Sequence, residues 1–192
     1  MQSGLTVTFD RAAAERAEEF ESLVRDHKDR IYGYVCRLTN DSPDAEDLTQ
    51  EVFVRAYQSM QSFRRDAAVD TWLYRIATNL VIDRFRREKR APRWVSVERD
   101  EDQAALELPA VGRYSDPQAS AQLGELQRQV RLAVQALPEK LRSVVVLHDL
   151  EGLAYDEIAR VLGCPLGTIK SRLFNARTAL KRKLAGYLGG EE

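Results

Sequence analysis

Cysteine, histidine, tryptophan and methionine each occur only twice in the 192 residues. Cys36 and Cys164 stand far apart, with no CxxC and no histidine cluster nearby. That spacing excludes a disulfide framework and a zinc site. His27 and His148 are accompanied by no Ser/His/Asp arrangement and no GxSxG, which argues against most hydrolases; no cofactor and no small-molecule substrate is expected. Long apolar runs are missing too. Val144-Val145-Val146-Leu147 is typical of the longest, against roughly 18 residues for a membrane span. Met1 to Phe9 lacks the basic start and apolar stretch of a secretory signal, so a cytoplasmic protein is expected. No alternating strand pattern is backed by a turn signal. What is present is 44% hydrophobic residues, enough for a core, together with 31% charged ones. The length suits one large domain or two small ones at the usual ~100–200 residues per domain.

The charges are segregated. Lysine and arginine total 29 and aspartate and glutamate 30, for a net charge of −1, yet the two signs fall in blocks. Asp41 to Glu51 holds Asp41, Asp44, Glu46, Asp47 and Glu51 with no basic residue. Arg84 to Arg93 holds Arg84, Arg86, Arg87, Lys89, Arg90 and Arg93 against Glu88. Glu98 to Asp116 is acidic again, and Arg160 to Lys183 carries only basic charges. Two basic blocks suggest two contacts with a polyanion, and the acidic block at Asp41 suggests a basic protein partner. Any one block alone reads equally well as a solvated helix face.

Nearly every periodic segment reads as helix. Ile31, Tyr34, Val35 and Leu38 follow i, i+3, i+4, i+7 spacing, one apolar stripe. Ser42-Pro43 is a helix start, a hydroxyl cap followed by proline at the first helical position. Asp44, Glu46 and Asp47 then sit where the helix dipole favours negative charge. This helix carries Leu48, Val52, Ala56 and Tyr57 on one side. Asp70 is read as the cap of another helix, with Trp72, Ile76, Leu80, Val81 and Phe85 inward. Phe20 to Arg90 is thus expected to be a bundle of about four helices. Periodicity fails from Ala91 to Asp116. Asp116-Pro117 then repeats the start signal, with Leu123, Leu126, Val130, Ala133, Val134 and Leu137 as the stripe. Pro138 opens the next helix and Gly152 closes it. The expected fold is all-α: two small helical domains, 16–92 and 117–187, joined by a flexible acidic linker, 93–116, with an unordered arm, 1–15, and a tail, 188–192.

Tyr155 to Leu180 is the most specific local signal. Ile158, Ala159, Leu162, Gly163, Ile169 and Leu173 have helix-turn-helix spacing. Ala159 lets two helices cross closely, Gly163 supplies a positive φ, and Pro165 lies near the start of the second helix. Ile158, Leu162, Ile169 and Leu173 would fill the angle between them. Thr168, Lys170, Ser171, Arg172, Asn175 and Arg177 would face outward and reach phosphates or base edges in a major groove. An ordinary helical hairpin with a solvated basic face is the alternative.

These residues carry a resemblance that covers almost the whole chain. Asp44-Ala45-Glu46-Asp47-Leu48-Thr49-Gln50-Glu51-Val52-Phe53, Phe63-Arg64 and Thr71 to Asn79 resemble the second conserved region of extracytoplasmic-function (ECF, group IV) sigma factors of the sigma-70 family. Leu137-Pro138, Gly152 to Ala159 and Gly167 to Leu173 resemble their fourth region. The resemblance implies a dissociable subunit that lets core RNA polymerase, through its β and β′ subunits, find and melt promoters of a stress or envelope regulon, under an anti-sigma factor that could hold it at the inner membrane. It implies polymerase docking by Asp44, Asp47, Leu48, Gln50, Glu51 and Phe53. The −10 element would be read by Phe63, Arg64, Arg65, Asp66, Tyr74, Arg75 and Asn79, with Arg84, Arg86 and Arg87 on phosphates. The −35 element would be read by Tyr155, Thr168, Lys170, Ser171, Arg172, Phe174, Asn175 and Arg177. A base flipped into the loop from Arg64 to Thr71 would shift the open–closed equilibrium of the promoter by binding energy alone. Trp72 reads as core, and the acidic linker either threads the polymerase cleft or serves as a solubilising tether.

Two positions depart from the family pattern. Ala154 replaces a hydroxyl cap, and Asn175 stands where relatives often have arginine, which leaves the −35 preference open, asparagine suiting adenine and arginine guanine. Asp44 and Glu46 could also be mere dipole complements. A free-standing dimeric helix-turn-helix regulator would leave the Asp44 to Asn79 motifs unexplained, and a phosphodiester-cleaving enzyme is disfavoured by the shortage of histidines and clustered carboxylates.

Overall fold

The computed structural model describes residues 3–39, 42–63, 68–90 and 117–188. Every regular element among them is a helix, and the fold is all-α. Three long helices form the N-terminal module: α1 (Ser3–Thr39), α2 (Ser42–Ser59) and α3 (Val69–Arg90), with a 3-10 turn at Met60–Ser62. The expected bundle of about four helices is therefore three and a turn. Of the segment expected to be an unordered arm, residues 3–15 form the leading part of α1. The alanine-, glutamate- and arginine-rich run Ala12 to Glu19 has high helix propensity and no breaker, so the helix extends upstream of its apolar stripe.

α2 begins at Ser42, where the Ser-Pro signal places it. α3 begins at Val69 with Trp72 N–H on Ala68 C=O, so Asp70 lies inside the first turn and does not cap it. Its carboxylate turns instead to α1, with Oδ2 accepting from Arg30 at 2.6 Å and Oδ1 2.8 Å from His27 Nδ1. Ile31, Tyr34, Val35, Leu48, Val52, Ala56, Trp72, Leu73, Ala77 and Leu80 interlock as core. At about 25 cal/mol per Å² of apolar surface, this burial is what holds the three helices together. Trp72 is core, as expected, and packs on Phe63 with ring centroids 4.5 Å apart.

The C-terminal module comprises α4 (Pro117–Gln135), α5 (Glu139–Val145), a π-helical turn (Val146–Leu150), α6 (Tyr155–Leu162) and α7 (Leu166–Leu188). Pro117 and Pro138 mark starts as expected, and Gly152, at φ +77°, follows the end of the π turn. Val144 through Leu147 are all buried. Consecutive apolar residues covering every side of a helix require partners all round, which α4, α7 and α1 supply. Gly163 takes φ +59°, the left-handed conformation that an L side chain resists, and Cys164 N–H closes the turn onto Ala159 C=O. Ile158, Ile169 and Leu173 are buried between α6 and α7 as expected, with Val161 buried beside the half-buried Leu162.

The two modules pack against each other. α3 lies on α6, and α1 touches α4, α5 and the π turn. The buried apolar residues of both modules form one continuous cluster. Arg142 of α5 donates to Leu38 C=O at the end of α1 (2.6 Å), to Gln135 C=O at the end of α4 and to Leu137 C=O just beyond it (3.1 Å). It thereby satisfies carbonyls that helix ends leave orphaned, and burial pushes its pKa down.

Candidate polymerase and nucleic-acid interfaces

On α2, the residues expected to dock on the polymerase separate by burial. Asp47 and Gln50 are exposed, and Glu51 is half-exposed and paired with Arg55 at 2.8 Å. Leu48, on the apolar stripe, and Phe53 beside it are buried in the module core. Asp44 is bound bidentately by Arg84 Nη2, 2.7 Å to each carboxylate oxygen, clamping α2 to α3. Val54 and Tyr57, 49% and 47% exposed, add apolar area to the outer face. The sequence marks neither for docking, because Tyr57 falls on the apolar stripe and Val54 carries no charge.

On the side of the −10 candidates, Phe63 is half-buried against Trp72, while Arg75, Asn79, Arg86 and Arg87 are exposed on α3. Arg84 is occupied by Asp44 and Glu88. Those hydrogen bonds and charges, the Glu88 bond foremost, hold its pKa up against burial. Arg64, Arg65 and Asp66 lie outside the described residues. Tyr74 is fully buried. Its hydroxyl donates to Glu151 Oε2 at 2.6 Å, and burial followed by that bond drives its pKa well above the usual tyrosine range.

Glu151, missed in the sequence, is the hub of this region. Its side chain is 5% exposed. Besides Tyr74, it accepts from Arg37 Nη1 at 2.8 Å, and Arg30 Nε lies 3.5 Å from Oε2. Arg30 Nη2 also reaches Glu151 C=O at 3.3 Å, and the guanidinium sits 5.6 Å over the Tyr74 ring. Burial opposes the charge on Arg30, but Tyr74, Asp70 and Glu151 outweigh it and raise the pKa. The sequence signal was faint: one acid after an apolar run and before a glycine.

The −35 candidates lie on α6 and α7. Lys170, Ser171, Asn175 and Arg177 are exposed, and Phe174 is 72% exposed. Thr168 is half-buried, and its carbonyl accepts from Ser171 Oγ at 3.0 Å. Arg172 is half-buried with Nη1 3.7 Å from Cys164 Sγ. Arg177 pairs with Asp149, and that bond holds its pKa up. Tyr155 packs edge-on to His148, with centroids 4.8 Å apart, and His148 Nδ1 meets Leu153 C=O at 2.8 Å. Ala154 offers no acceptor to the start of α6, but the reciprocal half of a capping arrangement remains, Ala154 N–H to Glu157 Oε2 at 2.9 Å. Tyr155, Lys170, Leu173, Phe174, Arg177, Thr178 and Lys181 line one shallow groove.

A helix-turn-helix with a basic outer row, preceded by a helical module with an acidic outer face, is the make-up of a DNA-binding factor with a protein partner. Residues 23–91 match the Sigma-70 region 2 family and residues 127–180 match Sigma-70, region 4. The chain is 34% identical to the RNA polymerase sigma-H factor of Pseudomonas aeruginosa, over 96% of its own length and 98% of that protein's. It is 35% identical to the ECF RNA polymerase sigma-E factor of Escherichia coli K12, over 91% and 94%. The fold matches the sigma factor RpoE from Bartonella quintana, solved with the anti-sigma factor NepR, at TM-score 0.64 and 24% identity, covering 88% of this chain and 98% of that one. It also matches CnrH, solved with the cytosolic domain of CnrY, at 0.63 and 25%, covering 92% and 94%. The chain belongs to the extracytoplasmic-function RNA polymerase sigma factors. It is a transcription initiation factor and no enzyme, and it binds core RNA polymerase and recognises promoter DNA. Among the described residues no helix is long and apolar enough to cross a membrane.

Proposed function

We propose that residues 16–92 act as region 2 and residues 117–187 as region 4, with the work divided as the exposed faces suggest. α2 docks on a basic surface of the polymerase through Asp47, Gln50 and Glu51, with Val54 and Tyr57 adding apolar contact; the charges steer and set register. The end of the loop before α3, with Arg75 and Asn79, reads the −10 strand, and Arg86 and Arg87 hold its phosphates without reading sequence. Lys170, Ser171, Phe174, Asn175 and Arg177 present the −35 reading face, where Asn175 is suited to adenine. Leu48, Phe53, Asp44 and Arg84 serve the module's own packing and position these faces.

An anti-sigma factor is the second partner. Support comes from the 25% identical neighbour held by a partner's cytosolic domain, and from the exposed Phe174 that lines the α7 groove. Such a partner would place the chain at the inner membrane when inactive and at the nucleoid when bound to polymerase, serving a stress or envelope regulon.

The observation that carries this reading is the exposed row on α7 behind a helix-turn-helix angle filled by Ile158, Ile169 and Leu173. Run-off transcription with purified core polymerase on genomic fragments tests it. Site-specific starts that share −35 and −10 sequences are expected. Core binding without specific starts would overturn it.

A further inference from the structure

The two modules meet through a buried carboxylate whose side-chain partners all lie across the seam. Glu151 sits in the C-terminal module, while Tyr74, Arg37 and Arg30, its three side-chain partners, all belong to the N-terminal one. Arg142 adds a second bond across the same seam, and Thr71 Oγ1 reaches Glu157 Oε1 at 3.4 Å. A carboxylate this dry is stable only while its partners stay in place, since an unpaired buried charge is costly.

This arrangement is incompatible with promoter engagement. The modules are in direct contact, with α3 lying on α6 and α1 on α4 and α5, and one cleft between them is lined from both sides, by Phe85 and Arg86 of α3 and by Arg172 of α7. By their numbering the −10 and −35 elements are separated by roughly 25 base pairs, or ~85 Å at 3.4 Å per base pair. The 26 residues between Arg90 and Pro117 have a fully extended reach of about 85–95 Å at 3.3–3.6 Å each, enough for the modules to part that far and no further.

We propose, resting on the sigma-factor reading above, that Glu151 is an intramolecular latch. It closes the free chain by gripping Tyr74, Arg37 and Arg30, and it must release them before the modules can take up promoter spacing on the polymerase. Release hydrates the carboxylate and both guanidiniums and uncovers Tyr74 on the α3 face. An apparent affinity is divided by the fraction of chains in the competent state, so weakening the latch raises core binding.

The test uses the full-length chain free in solution, as wild type, Glu151→Gln and Arg37→Ala. Small-angle scattering reads module separation, and titration with purified core polymerase reads affinity. The wild type is expected to be compact. Both variants are expected to show a larger radius of gyration and to bind core more tightly, by about tenfold if the open fraction rises tenfold. Circular dichroism checks that each is folded. Arg37 is only partly buried, so Arg37→Ala decides the matter if Glu151→Gln does not fold. An extended wild type, or radii unchanged in a folded variant, would overturn the latch, and expansion without tighter core binding would overturn its gating role. A wild type that is compact but never binds core would instead remove the sigma-factor reading and leave the closure intact.

Discussion

At the residue scale, the Tyr34–Thr78–Tyr74 chain shows how buried polar groups are satisfied in sequence. Thr78 Oγ1 donates to Tyr74 C=O at 2.6 Å, so the Tyr34 hydroxyl, 2.7 Å away, must be the donor to Thr78 Oγ1. Tyr34→Phe therefore removes one donor and strands nothing, and should cost about 1 kcal/mol in urea unfolding. Thr78→Val strands the buried Tyr34 hydroxyl and should cost more, about 1–3 kcal/mol for the unsatisfied group. A reversed order would show that the donor assignment is wrong. Burial foremost raises the pKa of Tyr34, the Thr78 bond opposing it, so the folded state holds this proton after the unfolded chain has lost it. That part of the stability is intact below pH ~10, the ordinary tyrosine value, and falls as pH rises beyond it. The alkaline decline should be shallower in Tyr34→Phe when unfolding is followed from pH 8 to 11. These contacts join residues some forty positions apart, and nothing in the local pattern reveals which hydroxyl meets which.

At the scale of the element, helix starts and apolar stripes were legible because they are local. Ser42, Pro117, Pro138 and Gly163 act within one turn of themselves, and Ile31, Leu48 or Ile169 sit inward because 3.6-residue periodicity leaves them nowhere else. The docking and reading faces were legible less completely. Charge marks a residue as outward without telling whether a neighbouring helix claims it, so Asp44 and Arg84, both read as ligand contacts, turn out to bind each other. Arg172 likewise lies half-buried beside Cys164, whereas Lys170 is free-standing on α7. Lys170→Ala should lower the salt slope of −35 duplex binding by about 0.9 in log K against log salt, an unchanged slope ruling out a phosphate contact there. Neutralising Asp47 and Glu51 together should weaken core polymerase binding, most at low salt, while −35 duplex binding stays constant; loss of both would contradict the assignment of α2. Gly163→Ala forces an alanine into the left-handed region and should cost about 1–2 kcal/mol in thermal unfolding.

At the scale of the whole molecule, the charge blocks announced two modules and a tether but gave no hint that the modules close on each other. Closure involves the Glu151–Arg37 and Arg142–Leu38 bonds, each joining residues over a hundred positions apart, and Glu151, Arg37 and Arg142 each look solvent-bound in their own segments. Because the buried cluster runs unbroken through both modules, calorimetry of the free chain should show one cooperative transition. Leu147→Ala, which empties a fully buried site in the C-terminal module, should cost about 2–5 kcal/mol and lower the melting of the entire chain, α1 to α3 included. Two separate endotherms, with only one displaced, would show that the modules melt independently.

The bare ring of Phe174 bears on how concentrated solutions of the free chain behave. It stands among Lys170, Arg177 and Lys181, so like charges keep one copy's ring from another's at low ionic strength, and added electrolyte removes that protection as the screening length shrinks from about 10 Å at 0.1 M to 3 Å at 1 M. Salting such a preparation should cloud it, and Phe174→Ser should keep it clear.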